Sequence, residues 1–321
     1  MPVTLLPYAG PSDLPRISRM LAAADAVQPL GRFRTPEELR LWFDNPDVDP
    51  YQNAIVLADE DDTCCGYLLL EPKWFTRQHL VGFARFITHP SYKAEGLDDQ
   101  CLAWAERRVR QLGNGQAHRL EVHAVTRTDS PDRIFSLEWN GYKPIRRYMN
   151  MLYDYPKALP AAALPEGFIV RPINPNSDAE AWVDCYNNAF IDHWDFTPIS
   201  VAFFHHSRQM NAAQQPEHDL AVCDREGKFA AVCWSQYDPS RFKEGVRREA
   251  ILHQIGTRRG FRGRGIATAL MVYALKHLQS DGIQAVRLFV DSENPTGAKR
   301  LYERLGFLDD YPLIFYGKTL T

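Results

Sequence analysis

The sequence has no excess of positive charge. Its 37 Lys and Arg face 40 Asp and Glu, for a formal net charge of −3. A main partner made of nucleic acid needs a large basic surface, so no nucleic acid is expected. Nor is there an apolar run near the roughly 18 residues of a membrane span, and no membrane partner is expected. The opening stretch MPVTLLPYAGPSDLP lacks the basic head, apolar core and cleavage site of a secretory signal. A cytoplasmic protein is the expectation. Cysteine is scarce: Cys64, Cys65, Cys101, Cys185, Cys223 and Cys233, with no CxxC pair. Adjacent Cys64 and Cys65 are poor disulfide partners, and reduced, buried thiols are expected. The histidines show no HExxH or similar spacing, so no metal site is expected.

What is present is an ordinary globular composition, 45% hydrophobic and 24% charged, over 321 residues. That length suits two domains of about 150 residues each. The proline- and alanine-rich PKALPAAAL, residues 156–164, reads as a linker. Similar features recur on either side of it. Extended segments ending in proline, VTLLPYAGPSD and FIVRPINPNSD, stand near each start. Further on, LVGFARFITHPSYKAEGLDDQCLAWAERRVRQL and AILHQIGTRRGFRGRGIATALMVYALKHLQ each give an apolar strand, a glycine-marked turn and a helix. A strand (RLEVHAV, AVRLFVD), a short helix and a glycine–aromatic pair follow in both halves. Gly265 lies 169 residues after Gly96, and Gly306 lies 165 after Gly141. Two landmarks with nearly one offset indicate duplication. The order of elements predicts a mixed α/β (α+β) fold in each half, a sheet flanked by helices.

The segment HQIGTRRGFRGRGIATAL carries four glycines and four arginines where a buried strand, EAILHQI, gives way to a helix. Ile266, Leu270, Tyr273, Ala274 and Leu278 form an apolar stripe at helical spacing, and Gly282 stops the helix. A helix N-terminus presents unpaired N–H groups and a partial positive charge. The glycines let a ligand approach that backbone closely, which suits a phosphate or pyrophosphate. Arg258, Arg259, Arg262 and Arg264 are expected to add mobile charge at the rim. The loop is neither a P-loop nor GxGxxG, since Ile266, Ala267 and Thr268 follow Gly263-Arg264-Gly265.

Arg262-Gly263-Arg264-Gly265-Ile266-Ala267 resembles the Arg/Gln-x-x-Gly-x-Gly/Ala loop of the GNAT superfamily of N-acetyltransferases. Downstream, VDSENPTGAKRLYERLGF is similar to that family's second cofactor motif. The resemblance implies two tandem GNAT-like domains, each a mixed, mostly antiparallel sheet flanked by helices. Residues 1–155 would form a degenerate, non-catalytic domain and residues 165–321 the catalytic one. It implies that acetyl-CoA sets its pyrophosphate on the backbone of Gly263, Arg264, Gly265, Ile266, Ala267 and Thr268, beside Arg262. The pantetheine arm would pair with the strand edge at Ile255, Gly256 and Thr257, and Asn294 would touch the cofactor. Tyr302 is placed beside the thioester sulfur as the acid. Asn294-Pro295 also reads as a helix N-cap with a first-turn proline, and Tyr302 stands near that helix's C-terminal end.

Acetyl transfer to an amine must first remove a proton from a group of pKa near 10. Where several family members carry an acidic base, this chain has Ile251. Glu249 and His253 flank it on the same strand face, and either is a candidate base. NNAFIDHWDF places Phe190, His193, Trp194 and Asp195 at the acceptor pocket, with Asp195 available for a cationic amine. The acceptor is expected to be a small-molecule amine, attacking directly with no covalent intermediate. Oligomerisation stays open. In the first half Lys93 stands for Arg262, Glu95 for Arg264, Asp98 for Ala267 and Leu137 for Tyr302. Carboxylates there repel a pyrophosphate, so that half is expected to be inactive. The alternative for the whole chain is a non-catalytic acyl-CoA sensor or scaffold.

Overall fold

The computed structural model describes residues 2–28, 34–115, 117–155, 158–209, 215–239, 242 and 244–320; of Lys93, Ala94 and Pro216 only the backbone is described. The strands are β1 (Thr4–Pro7), β2 (Ala54–Ala58), β3 (Cys64–Thr76), β4 (His79–Thr88), β5 (Arg119–Arg127), β6 (Lys143–Asp154), β7 (Ile169–Pro172), β8 (Asp219–Cys223), β9 (Phe229–Gln236), β10 (Glu249–Thr257), β11 (Ala285–Asp291) and β12 (Leu308–Leu320). The helices are α1 (Leu14–Val27), α2 (Pro36–Phe43), α3 (Pro50–Asn53), α4 (Leu97–Gly113), α5 (Pro131–Trp139), α6 (Ala179–Phe190), α7 (Val201–Gln209), α8 (Ile266–Ser280) and α9 (Ala298–Leu305). Among the described residues no helix is long and apolar enough to cross a membrane.

The chain forms two compact units, Met1–Arg146 with Leu313–Thr321, and Arg147–Pro312. In the first, the strand order is β1-β2-β3-β4-β5-β12; in the second it is β6-β11-β10-β9-β8-β7. Each has one parallel pair, β4 with β5 and β10 with β11, among antiparallel neighbours. Each unit is therefore a mixed, mostly antiparallel sheet flanked by helices, and the pattern occurs twice. The unit boundaries fall at residues 146/147 and 312/313, not in the 156–164 stretch expected as a linker, of which Pro156 and Lys157 lie outside the described residues. The cause is an exchange of strands. β12 gives residues 313–320 to β5, and β6 gives residues 148–154 to β11. An alternating apolar strand fits either sheet, so its pattern does not say which one it joins.

In the second unit, helices cover both faces of the sheet. Leu270, Met271, Ala274, Leu275 and Leu278 of α8 pack with Val286, Leu288 and Leu252 on one face. Trp182 and Cys185 of α6 and Phe204 of α7 pack with Val232 and Ala221 on the other. These are the residues of helical and strand periodicity that face inward. The first unit repeats the plan, with α4 and α5 on one face and α1 and α2 on the other.

Candidate active site

β10 and β11 pair only over four residues, from Glu249↔Ala285 to Leu252↔Leu288. Beyond Leu252 they part. β10 stays paired with β9 as far as Thr257↔Ala231, and β11 with β6 as far as Asp291↔Tyr148. Residues 253–257 thus have a free edge, and alternate N–H and C=O groups point into the gap. The parting coincides with a β-bulge: the β9 register skips His253, so that Leu252 faces Ser235 and Gln254 faces Trp234. A bulge bends its strand and re-aims the side chain. EAILHQI is therefore not a fully buried strand; Ile251 and His253 are both exposed.

The gap is a cleft of about 470 Å³. One wall is Ile255, Gly256 and Thr257, the other Leu288, Phe289, Val290 and Asp291. Its far end is the loop and first turn of α8, with Arg262, Gly263, Gly265, Ile266, Ala267 and Thr268. Gly263 (φ 75°) and Gly265 (φ 80°) are left-handed, which L side chains rarely adopt, and no atom lies where a Cβ of either would sit. Gly265 is the N-cap of α8 and offers no side-chain cap, so the first-turn N–H groups face the cleft unsatisfied by side chains. The missing side chain of Gly256 has another use. A Cβ there would come within 2.7 Å of the Phe190 ring, so this glycine lets α6 close on β10.

The arginines are not mobile rim charges, with one exception. Arg262 donates to the Thr257 carbonyl (3.2 Å), the Ala189 carbonyl (2.8 Å) and the Asp192 carboxylate (2.8 Å). Arg259 donates to the same carboxylate (3.0 Å from Nε), and Arg258 pairs with Asp184 (2.5 Å). Arg259 first and Arg262 second hold Asp192 well below the usual carboxylate range. These contacts fasten the glycine loop to the end of α6. Arg264 alone of the four has no carboxylate partner among the described residues; it lies over the Phe261 ring and does not line the cleft. Replacing Asp192 with asparagine should unfasten the loop and weaken coenzyme A binding several-fold, measured by calorimetry, with little change in kcat at saturation.

Tyr302 and His253 both open on this cleft. Tyr302, on α9, is only 7% exposed, and burial pushes its phenol well above the ordinary range. Its proton is thus retained throughout neutral pH. The His253 ring stacks on Trp234 with centroids 4.7 Å apart. Although the residue has solvent access through the cleft, protein crowds the ring. That burial first, and the Arg208 guanidinium second, push it down to about 4. Arg208 lies against the Trp182, Phe204 and Trp234 rings at 4.1–4.4 Å and bonds Asp219 at 2.8 Å. Sequence reading missed this cage, since a cation on a helix gives no sign of which rings it meets.

Glu249 does not line the cleft. Arg287 Nε donates to it at 2.6 Å, and Arg247 is 3.7 Å away. Asn294 does line the cleft, but it does not cap α9, whose N-cap is Gly297 (φ 71°). Its Oδ1 instead accepts from the Thr296 N–H (2.8 Å) and hydroxyl (2.6 Å), shaping the turn before the helix. Phe190 and His193 reach the cleft; Trp194 and Asp195 do not. Asp195 bonds His193 Nδ1 at 2.7 Å, and Trp194 Nε1 donates to the Tyr148 hydroxyl at 2.8 Å. They hold the cleft wall. All six cysteines are buried and free, and none lines the cleft.

The matching turn in the first unit carries carboxylates. Gly96 (φ 63°) caps α4 as Gly265 caps α8. Asp98, in the first turn, accepts from Thr88 Oγ1 (2.7 Å) and Arg133 Nε (2.5 Å). Arg133 also lies over the Phe86 ring at 3.9 Å. Asp99 accepts from Ser136 (2.5 Å) and Asn140 (2.8 Å). Leu137, at the position of Tyr302, is fully buried. Bonded carboxylates thus stand in the first turn of α4 where α8 has Ala267 and Thr268; the Lys93 side chain lies outside the described residues.

The fold and the cleft define an acyltransferase of the GNAT type. The model of the acetyltransferase (GNAT) family matches residues 179–307. A mycothiol acetyltransferase of Thermobispora bispora is 30% identical over 300 residues, covering 91% of this chain and 90% of that one. A GCN5-related N-acetyltransferase of Sphaerobacter thermophilus superposes with a TM-score of 0.73 at 24% identity, over 99% of this chain and 95% of the other. A tandem GNAT protein from the clavulanic acid biosynthesis pathway superposes with a TM-score of 0.71 at 14% identity, over 99% and 98%. The chain belongs to the GNAT acetyltransferase family. It is an acetyl-CoA-dependent acetyltransferase.

Proposed function

We propose that the second unit alone carries the reaction and that it acetylates the primary amine of a small molecule of the mycothiol type. One observation carries this reading: the parted β10–β11 edge runs straight into an open, left-handed glycine turn, with Tyr302 and His253 on the same cleft. Acetyl-CoA supplies an activated acyl group when bound. The N–H groups of residues 263–268 grip its diphosphate, as a helix N-terminus binds anions. The free edge at residues 255–257 takes the amides of its pantetheine arm as an added strand. Acetylation of the mycothiol-type amine by the wild-type protein, with one coenzyme A bound per chain by calorimetry, is the direct test. Two equivalents bound per chain would overturn the assignment to one unit.

The amine attacks as the free base; His253 accepts the proton that its nitrogen sheds as the new bond forms, and Tyr302 gives one to the departing sulfur. His193, held by Asp195, walls the acceptor side. The absence of a thiol on the cleft supports direct attack by the amine. Glu249 has a weaker claim as base because it does not line the cleft.

The acid–base behaviour follows from the shift of His253. A depressed pKa leaves the imidazole unprotonated above about 4, so its protonation does not limit the rate between pH 5 and 8. kcat/KM then rises with pH only as the free amine fraction grows, by roughly tenfold per pH unit below the amine's pKa. A kcat in His253→Gln within twofold of wild type would remove His253 from the role of base.

A further inference from the structure

The second unit holds a second cluster of titratable side chains. His218 ends a short helical turn, Pro216–His218, ahead of β8. His277 lies in the last turn of α8, and Asp281 caps that helix. A nitrogen from each imidazole and an oxygen of the carboxylate all lie within 4.8 Å of one another. His218 Nε2 is 2.6 Å from Asp281 Oδ2. The two imidazoles meet edge to face with centroids 5.0 Å apart. The Tyr237 hydroxyl donates to the same Asp281 oxygen at 3.0 Å, orienting the carboxylate from outside.

The cluster is not a satisfied hydrogen-bond network. Nδ1 of His218 and Nδ1 of His277 are both buried, and neither meets a hydrogen-bond partner among the described residues. His218 is 1% exposed. Buried polar atoms in native proteins are nearly always paired, and an unpaired one costs free energy. Each imidazole thus keeps one ring nitrogen without a partner, and with the carboxylate the two rings bring together the donor types that a metal ion takes. His277 is half-buried and Asp281 exposed, which leaves a way in from solvent and room for water as a further ligand. The carbonyls at a helix C-terminus carry partial negative charge and favour a cation there.

We propose that His218, His277 and Asp281 bind a first-row divalent transition-metal ion, with Zn²⁺ the foremost candidate. Two imidazoles and a carboxylate suit zinc and its neighbours, whereas calcium and magnesium take oxygen donors. Donors at about 2.0–2.1 Å from a tetrahedral ion stand roughly 3.3 Å apart. The His218–Asp281 pair must therefore open slightly and His277 draw in, movements that side-chain rotation supplies. The site is structural. His277 lies 11 residues after Ile266 on α8 (277 − 266), so roughly 17 Å of helix separate the cluster from the glycine loop. The ion would tie the turn before β8 to the end of the helix whose start forms the cofactor cradle. The first ligand lies 59 residues before the second in the sequence (277 − 218), so no spaced motif announces the site.

The experiment uses untagged full-length protein, stripped with a chelator and titrated with Co²⁺ and then Zn²⁺. One equivalent of Co²⁺ should give a visible ligand-field spectrum that Zn²⁺ abolishes, and excess Zn²⁺ should raise Tm by several degrees. His277→Ala and Asp281→Asn should each weaken the ion at least tenfold, with coenzyme A binding unaltered. The metal-free Tm of each variant reports its folding. Should His277→Ala fail to fold, Asp281→Asn, at an exposed cap, carries the test. No saturable spectrum in the wild type, or an unchanged spectrum and affinity in a folded variant, overturns the proposal.

Discussion

Tyr302→Phe should lower kcat by about 10²- to 10⁴-fold, the usual contribution of a positioned general acid. Coenzyme A should bind with unchanged affinity. The two halves of this expectation rest on different atoms. The diphosphate grip proposed above uses backbone at the far end of the cleft, which the substitution does not reach. The phenol proton is retained at neutral pH because burial disfavours the phenolate. Phenylalanine keeps the ring, which packs 6.0 Å from that of Phe307, and so keeps the fold. Steady-state kinetics with calorimetry on the same preparation decide the matter. A kcat within twofold of wild type would make Tyr302 a packing residue and leave the sulfur to be protonated by water.

The parts of this molecule that were legible in the sequence are those fixed by local geometry. Gly265 and Gly306 take positive φ at the ends of α8 and α9, and both were marked by glycine beside a helical apolar stripe. The free strand edge beyond Leu252 was implied only by the family resemblance and not by any local pattern. Duplication was readable because the same landmarks recur. What stayed hidden depends on partners distant in the chain. Nothing local says that Asp192 takes two arginines of the glycine loop, 67 and 70 residues on. Nothing local says that Arg208 settles among three aromatic rings, or that β6 and β12 change sheets. The start of α9 shows a conflict between two good local signals. Asn294-Pro295 has the composition of a helix start, but the Asn294 side chain spends its oxygen on Thr296, and the helix begins after Gly297. His253 was placed on the right strand face, yet the bulge that sets it at the parting of the strands left no mark in the apolar pattern.

Ala267→Asp should abolish detectable coenzyme A binding while leaving the fold intact. The substitution copies into α8 what α4 already has, a carboxylate in the first turn after a left-handed glycine. A unit negative charge about 4 Å from one phosphate charge costs of order 4 kcal/mol at an effective dielectric of 20, nearly a thousandfold in affinity. The same charge favours the helix N-terminus by about 0.3–1 kcal/mol, so Tm should hold or rise. Stability and binding thus move in opposite directions, which a merely disruptive mutation does not produce. In the first unit the carboxylate is further neutralised by Arg133 of α5, four residues before Leu137; four before Tyr302 on α9 stands Ala298, which offers no cation. Calorimetric titration with coenzyme A beside a thermal melt reads both quantities. Binding within tenfold of wild type would show that the diphosphate does not sit on this turn, and would remove the reason given for the silence of the first unit.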